Sequence, residues 1–267
     1  MSTQFVEDES IRRIAVIDVM NFLHSSAQSV TNTSRPPEDT RDYLDALDLA
    51  AFLCLFLQRG FDVRAVVPRS ARQRSRNGFL FDMFFAMGLV IYTERCYDDL
   101  VIIKYAADRG GFIISCDKYR DCLQMNISKA EKHVILNRVI RPVVKKCSTN
   151  AHDRGEPFTV NSAGDRVVNF TVQLHAHSHN VLFSDPESND MEICAVSRRL
   201  FTHQRSLRIR RQLDDIFNFV ARVSPLPDDV FVKEVAAYKE KLITDWGAPG
   251  YLKGIDEVNM DRAGRYS

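Results

Sequence analysis

Apolar and polar positions come in blocks along the first half of the chain, each about the length of one secondary-structure element. "RRIAVIDV" (12–19) is a short β-branched run of the kind that forms a strand buried on both faces of a parallel sheet. The polar stretch "SSAQSVTNTSRPPEDT" (25–40) predicts a loop, and "RDYLDALDLAAFLCLFLQRG" (41–60) a helix stopped by Gly60. "DVRAVVP" (62–68) predicts the next strand, "RSARQRSRNG" (69–78) a loop and "FLFDMFFAMG" (79–88) a short apolar helix. "LVIYT" (89–93) reads as a third strand, and "YDDLVIIKYAADRGG" (97–111) as a helix that opens on acids and closes on glycine. "FIIS" (112–115) reads as a fourth strand, with "DKYRDCLQM" (117–125) starting the helix after it.

Alternating strands and helices predict βαβ units, hence an α/β domain with a mainly parallel sheet between two helical layers, over residues 10–145. Right-handed crossovers put every strand's carboxyl end on one edge, where such sheets keep their sites. Residues 146–267 predict an α+β extension for binding RNA or a partner. In it "VVNFTVQLHAH" (167–177) and "HNVLFS" (179–184) pair as a hairpin, the later part of "RRLFTHQRSLRIRRQLDDIFNFVARV" (198–223) is helical, and "DDVFVKEVAAYKEKLITDW" (228–246) is an amphipathic helix.

Composition narrows the class without naming a function. The hydrophobic share of 45% and charged share of 27% suit a globular protein with a real core, and the net charge of +1 announces no partner. The six cysteines (Cys54, Cys96, Cys116, Cys122, Cys147, Cys194) show no C-x-x-C pair or zinc-finger spacing and read as reduced thiols. The acidic start "MSTQFVEDES" does not suit a secretory signal, and the longest apolar run, "LAAFLCLFL", is too short for a bilayer. These features predict a cytoplasmic or nuclear protein with no membrane partner.

Acids then change the picture. Asp18 ends the first strand, Asp98 and Asp99 open the helix after the third, and Asp117 follows the fourth, with Asp121 one helical turn later. Three segments thus deliver carboxylates to one edge, where they repel unless a cation or proton lies among them. Hard cations such as Mg²⁺ or Mn²⁺ need only a few such oxygens. The competing explanation is local: Asp98 and Asp117 as helix N-caps, Asp99 as a first-turn acid. Asp18 fits that explanation less well, because an acid ending a buried strand needs a partner.

"AVIDVMN", "VVP", "VIYT" and "CYDDLVIIKYAADRGGFIISCDKYRD" together resemble the NYN/PIN-type ribonuclease domain of the Regnase (MCPIP-like, CCCH-zinc-finger) family over residues 12 to about 125. That resemblance implies a PIN-like three-layer fold and a Mg²⁺-centred cluster of Asp18, Asp98, Asp99, Asp117 and Asp121, with Asn21 helping to position it. It implies endonucleolytic cleavage of single-stranded or loop RNA by a metal-activated water, in mRNA decay or RNA silencing, with cytoplasmic RNA granules as one location. The sequence departs from the family in Asp18-Val19-Met20-Asn21 for Asp-Gly-Ser-Asn, in Cys116 for Asn, in a shortened "ERC" segment, and in having no CCCH finger after the domain. The altered loop and long C-terminal half keep a second class open, a catalytically weak RNA-binding or scaffold subunit with protein partners, or a homo- or heterodimer. A haloacid-dehalogenase-type phosphatase is set aside, because position 20 is Met where that chemistry needs a second Asp.

Arg69, Arg72, Arg74 and Arg76 lie in a loop on the same edge and, with Lys118 and Arg120, are candidates to bind RNA phosphates, or else are solvated or charge-balancing. The arginine-rich 198–212 segment either tracks RNA or docks a partner. His175, His177 and His179 alternate as zinc ligands would on a strand, or are simply strand histidines. Tyr97, Phe22 and Tyr119 flank the acids and either stack on bases or pack in the core. "LAAFLCLFL" and "FLFDMFFAMG" are apolar enough to meet a second chain.

Overall fold

The computed structural model describes residues 10–31, 44–93, 97–146, 158–160, 166–168, 170–174 and 179–247. Its elements are β1 (Ile11–Arg12), β2 (Ala15–Asp18), α1 (Val19–Thr31), α2 (Ala46–Gln58), β3 (Val63–Pro68), α3 (Ala71–Arg74), α4 (Leu80–Ala86), β4 (Val90–Thr93), α5 (Asp98–Asp108) and β5 (Phe112–Ile114). There follow α6 (Lys129–Asn137), β6 (Val139–Ile140), β7 (Pro142–Lys146), β8 (Phe158–Val160), β9 (Arg166–Val168), β10 (Phe170–Leu174), α7 (His179–Leu182), β11 (Phe183–Ser184), α8 (Met191–Arg199), α9 (His203–Val223) and α10 (Asp228–Trp246).

Five strands form the central sheet in the order β4-β3-β2-β5-β6, with every neighbouring pair parallel. Strand alternation divides their side chains between two cores. Ala15, Ile17, Phe112 and Ile114 face α1, α2 and α4, whereas Val16, Val66, Ile91 and Ile113 face α5 and α6. This is the PIN-like three-layer α/β/α arrangement. The first core also takes in Ile209, Leu213, Ile216 and Phe217 of α9 and Leu242 of α10, so the C-terminal helices form an outer layer over the α2 side. Phe231 of α10 meets Phe79 edge-on and Lys239 reaches Asp82 of α4. The apolar faces of α2 and α4 are therefore covered within the chain, which answers why they looked sticky.

Several local expectations fail for identifiable reasons. The polar stretch after the first strand is helical as far as Thr31, because α1 starts directly after Asp18. The arginine loop contains one helical turn, α3. "HNVLFS" does not form a hairpin with the preceding strand: His179–Leu182 is a helical turn, Phe183–Ser184 pairs with β1, and β10 pairs antiparallel with β7. The segment after β5 also lacks the expected helix. Ser115 Oγ accepts the Asp117 N–H, Asp117 Oδ1 accepts the Tyr119 N–H, and Tyr119 takes a left-handed φ of 50°. Those side-chain bonds compete with helical ones, so only the short 3₁₀ turn Cys122–Gln124 follows.

At the opposite, amino edge, Gly111 lets β2 and β5 approach. A Cβ there would lie 2.7 Å from Ile14 Cγ2 and 2.8 Å from the Ile14 carbonyl oxygen. Gly111→Ala is expected to destabilise by roughly 1–3 kcal/mol, because the obstacle includes backbone that cannot rotate away. A lowered urea midpoint at unchanged slope checks this.

Candidate active site

Parity along the strands decides which polar ends meet. Asp18 shares the α5-facing side with Val16, Ser115 with Ile113, and Thr93 with Ile91. All three residues sit at carboxyl ends, with β2 at the middle of the sheet between β3 and β5. Asp18 is 5% exposed, and its Oδ2 accepts three donors: Asn21 Nδ2 at 2.7 Å, Ser115 Oγ at 2.9 Å and the Tyr119 hydroxyl at 3.1 Å. Its Oδ1 accepts the Asn21 backbone N–H at 3.2 Å. Burial raises the Asp18 carboxyl above the usual aspartate value, against the pull of those bonds. Thr93 Oγ1 donates to Asp98 Oδ1. The cap explanation for Asp98 does not apply, since Tyr97 is the N-cap of α5, and Asp117 lies in a turn rather than at a helix start.

Asp99 is where the acids converge electrostatically. Burial, then the charges of Asp18, Asp117 and Asp98, push its carboxyl up to about 6 even though the Tyr97 hydroxyl stabilises the anion. The buried Cys122 thiol beside it is pushed up to about 11, by burial and then by Asp99, Asp121 and Asp117. Asp121 is exposed and accepts the Tyr97 hydroxyl at 3.1 Å. Asp117 and Asp121 therefore belong to one acidic rim, but through a turn and not as one face of a helix. Cys116, next to Asp117, is 3.1 Å from Ser25 Oγ of α1. His24 of α1 lies within electrostatic reach of both Asp18 and Arg74, and burial followed by Arg74 lowers its basicity.

The donor set answers whether a cation belongs here. Among the described residues no three His, Cys, Asp or Glu side chains lie together closely enough to hold a metal ion, so Asp18, Asp98, Asp99 and Asp117 are not gathered into one ligand set here. Their oxygens still suit a hard cation that keeps several waters and takes few carboxylates.

Of the candidate RNA-binding residues, Arg69, Arg72, Arg74 and Arg76 are exposed at this edge. Arg72 pairs with Asp82 at 3.2 Å, Arg76 approaches Asp45 at 3.9 Å, and Arg69 lies over the Tyr92 ring. Lys118 and Arg120 point outward from the turn that sends Tyr119 inward. The arginine-rich start of α9 lies elsewhere. Ser206 Oγ bonds the Leu57 carbonyl at the end of α2, which a βαβ crossover puts at the amino edge, and Arg208 covers the Trp246 ring. His179 stacks on Phe183, while His175 and His177 lie outside the described residues. Phe22 and Tyr119 are core residues; Tyr97 is not.

Sequence reading missed Ser115, Thr93 and the hydroxyl role of Tyr119. Counting strand parity to the last residue would have found the first two. The family model described as Zc3h12a-like Ribonuclease NYN domain matches residues 11–155. No curated protein matches the chain.

Proposed function

The chain belongs to the Zc3h12a-like ribonuclease NYN domain family, and from that premise we propose that it is a metal-dependent endoribonuclease acting on single-stranded RNA. The observation that carries this reading is the placement of Asp18 at the carboxyl end of β2, bonded by Ser115, and of Asp98 and Asp99 in the first turn of α5, with Asp98 bonded by Thr93 at the end of β4. In that setting burial and the charges of Asp18, Asp117 and Asp98 raise the Asp99 carboxyl to about 6. A fold keeps such repulsion where function needs it, and perturbed carboxylates in a group mark candidate sites. A bound Mg²⁺ or Mn²⁺ would supply an activated water and neutralise charge on the phosphodiester. The chain's residues do the rest. Ser115, Asn21 and Tyr119 fix the Asp18 carboxylate, Thr93 fixes Asp98, and Asp99 and Asp117 stay accessible. Exposed Arg74, Lys118 and Arg120 bring positive charge to the strand approaching the acids. We place the enzyme in cytoplasmic RNA turnover, in mRNA decay or silencing.

The test is cleavage of labelled single-stranded RNA by clean protein. With Mg²⁺ or Mn²⁺ the RNA is cut internally; EDTA abolishes cutting, and Asp117→Asn reduces kcat/KM by about 10–100-fold, as loss of a group that holds or orients a metal does. Activity that survives EDTA, or none with either ion, overturns the reading.

A second reading draws on the absence of a closed carboxylate cage among the described residues and on the crowded Asp18 Oδ2. It is an RNA-binding or scaffold subunit whose site a partner chain or second copy completes. Cleavage would then appear only on adding the partner, while RNA binding survives Asp117→Asn.

A further inference from the structure

Three aromatics flank the acids, and the fold treats them differently. Phe22 is fully buried and stacks on Phe52, and Tyr119 is 1% exposed with its hydroxyl on Asp18. Tyr97 is 43% exposed, the one aromatic among the exposed large apolar side chains of the described residues. It is nonetheless not free to swing, because its hydroxyl donates to Asp121 at 3.1 Å, with the Asp99 carboxylate as the alternative acceptor for the same proton. The tip is thus tethered to the acidic rim through its one proton while the ring stays open to solvent. Burial of the ring is not what the hydroxyl bonds require, and leaving so much aromatic surface wet forgoes its hydrophobic gain.

We propose that Tyr97 is a base-stacking platform: an unpaired nucleobase of the substrate RNA lies on its exposed ring, and the tethered hydroxyl sets the distance from that base to the carboxylates. This deepens the ribonuclease reading and rests on it. Single-stranded nucleic acids bind by laying bases on aromatic faces, with phosphates on nearby cations. The cations lie close in sequence, since Lys118 and Arg120 leave the same turn as Asp121 and are exposed. Such a platform favours unpaired substrates, because a base inside a duplex has no free face to offer. Tyr97 acts through position, not chemistry, and so is a positioning residue.

The experiment uses the full chain and a single-stranded RNA oligonucleotide carrying 2-aminopurine, whose fluorescence falls on stacking. In EDTA, wild-type protein quenches the probe, Tyr97→Phe and Tyr97→Trp still quench, and Tyr97→Ala binds about tenfold more weakly without quenching, within the range known for one stacked base. With Mg²⁺, Tyr97→Ala raises KM by a similar factor and moves kcat far less. Tyr97→Ala that binds and quenches like wild type overturns the proposal. So does equal loss in the Phe, Trp and Ala variants, which would assign the effect to the hydroxyl alone. The Phe and Trp variants keep the test decisive where Ala disturbs the turn. Failure of wild-type protein to cut RNA sinks the ribonuclease reading instead, and leaves the quenching result to decide the platform.

Discussion

Asp99→Asn is expected to lower kcat/KM for RNA by on the order of 10²–10³-fold, the range for removing one preorganised electrostatic group from a site, while leaving the metal-free protein at least as heat-stable as wild type. The two outcomes share one cause. Burial and the neighbouring Asp18, Asp117 and Asp98 raise the Asp99 carboxyl to about 6 in the folded chain, against about 3.9 for an unfolded aspartate. The folded state therefore holds the proton more tightly than the unfolded state, and stability falls as pH rises from about 4 through 6. At pH 7.5 the wild type carries that full electrostatic cost, and asparagine does not. Thermal melts in EDTA at pH 7.5 should place the variant at or above wild type, with the difference closing below about pH 4. Adding Mg²⁺ should raise the wild-type melting temperature and leave the variant nearly unmoved. A variant that is inactive and also markedly less stable would mean that Asp99 is a structural acid, and the functional argument would fail with it.

How much of this was legible beforehand differs by residue. The parallel core strands announced themselves, because "AVID", "VRAVVP", "VIYT" and "FII" are short runs bounded by turn signals. The acids at their carboxyl ends followed from the βαβ rule. What pattern reading could not supply was the path of residues 115–121. "SCDKYRDCLQM" looks like a capped helix start, and only the bonds from Asp117 N–H to Ser115 Oγ and from Tyr119 N–H to Asp117 Oδ1 divert it. That diversion turns Tyr119 inward onto Asp18 and leaves Lys118 and Arg120 outside, so the aromatic that looked equivalent to Tyr97 became core. The C-terminal half was harder because its partners are distant in sequence. No local signal says that Phe183–Ser184 pairs with Ile11–Arg12, or that Asp190 faces Arg13.

That last contact carries the second large effect. Arg13 is 2% exposed, and its guanidinium donates to Asp190 Oδ2 at 2.6 Å and Oδ1 at 3.2 Å, to the Gly110 carbonyl at 2.9 Å, and to the Asn180 and Phe183 carbonyls. Arg138 reaches the same Asp190 Oδ2 at 2.5 Å. One carboxylate from the C-terminal half thus pairs with two guanidiniums of the nuclease domain, halving their combined charge. Asp190→Ala is expected to destabilise by about 3–5 kcal/mol, because it strands two like charges in a largely buried site, a large share of the roughly 5–15 kcal/mol that holds a domain folded. Arg13→Met should cost less, since Arg138 then balances Asp190, and the double variant should cost less than the sum of the two. The pH dependence has a definite sign. Burial works to raise the Asp190 carboxyl, but the bonds and charges of Arg13 and Arg138 together hold it below the usual range. Its contribution is therefore whole above the unfolded value of about 3.9 and is lost as pH falls through the depressed folded value. Urea titrations should show a constant gap between wild type and Asp190→Ala from pH 7 to about 4, closing below that. A gap that stays open in acid, or an Asp190→Ala loss no larger than that of Arg13→Met, would show that the pairing does not govern stability here. The same cluster borders Gly110 and Ile14, where β5 and β2 begin, and Ser115 meets Asp18 where those strands end. The C-terminal half therefore ties together the amino ends of the two strands whose carboxyl ends carry Asp18 and Ser115, at the edge of the sheet farthest from the acidic site.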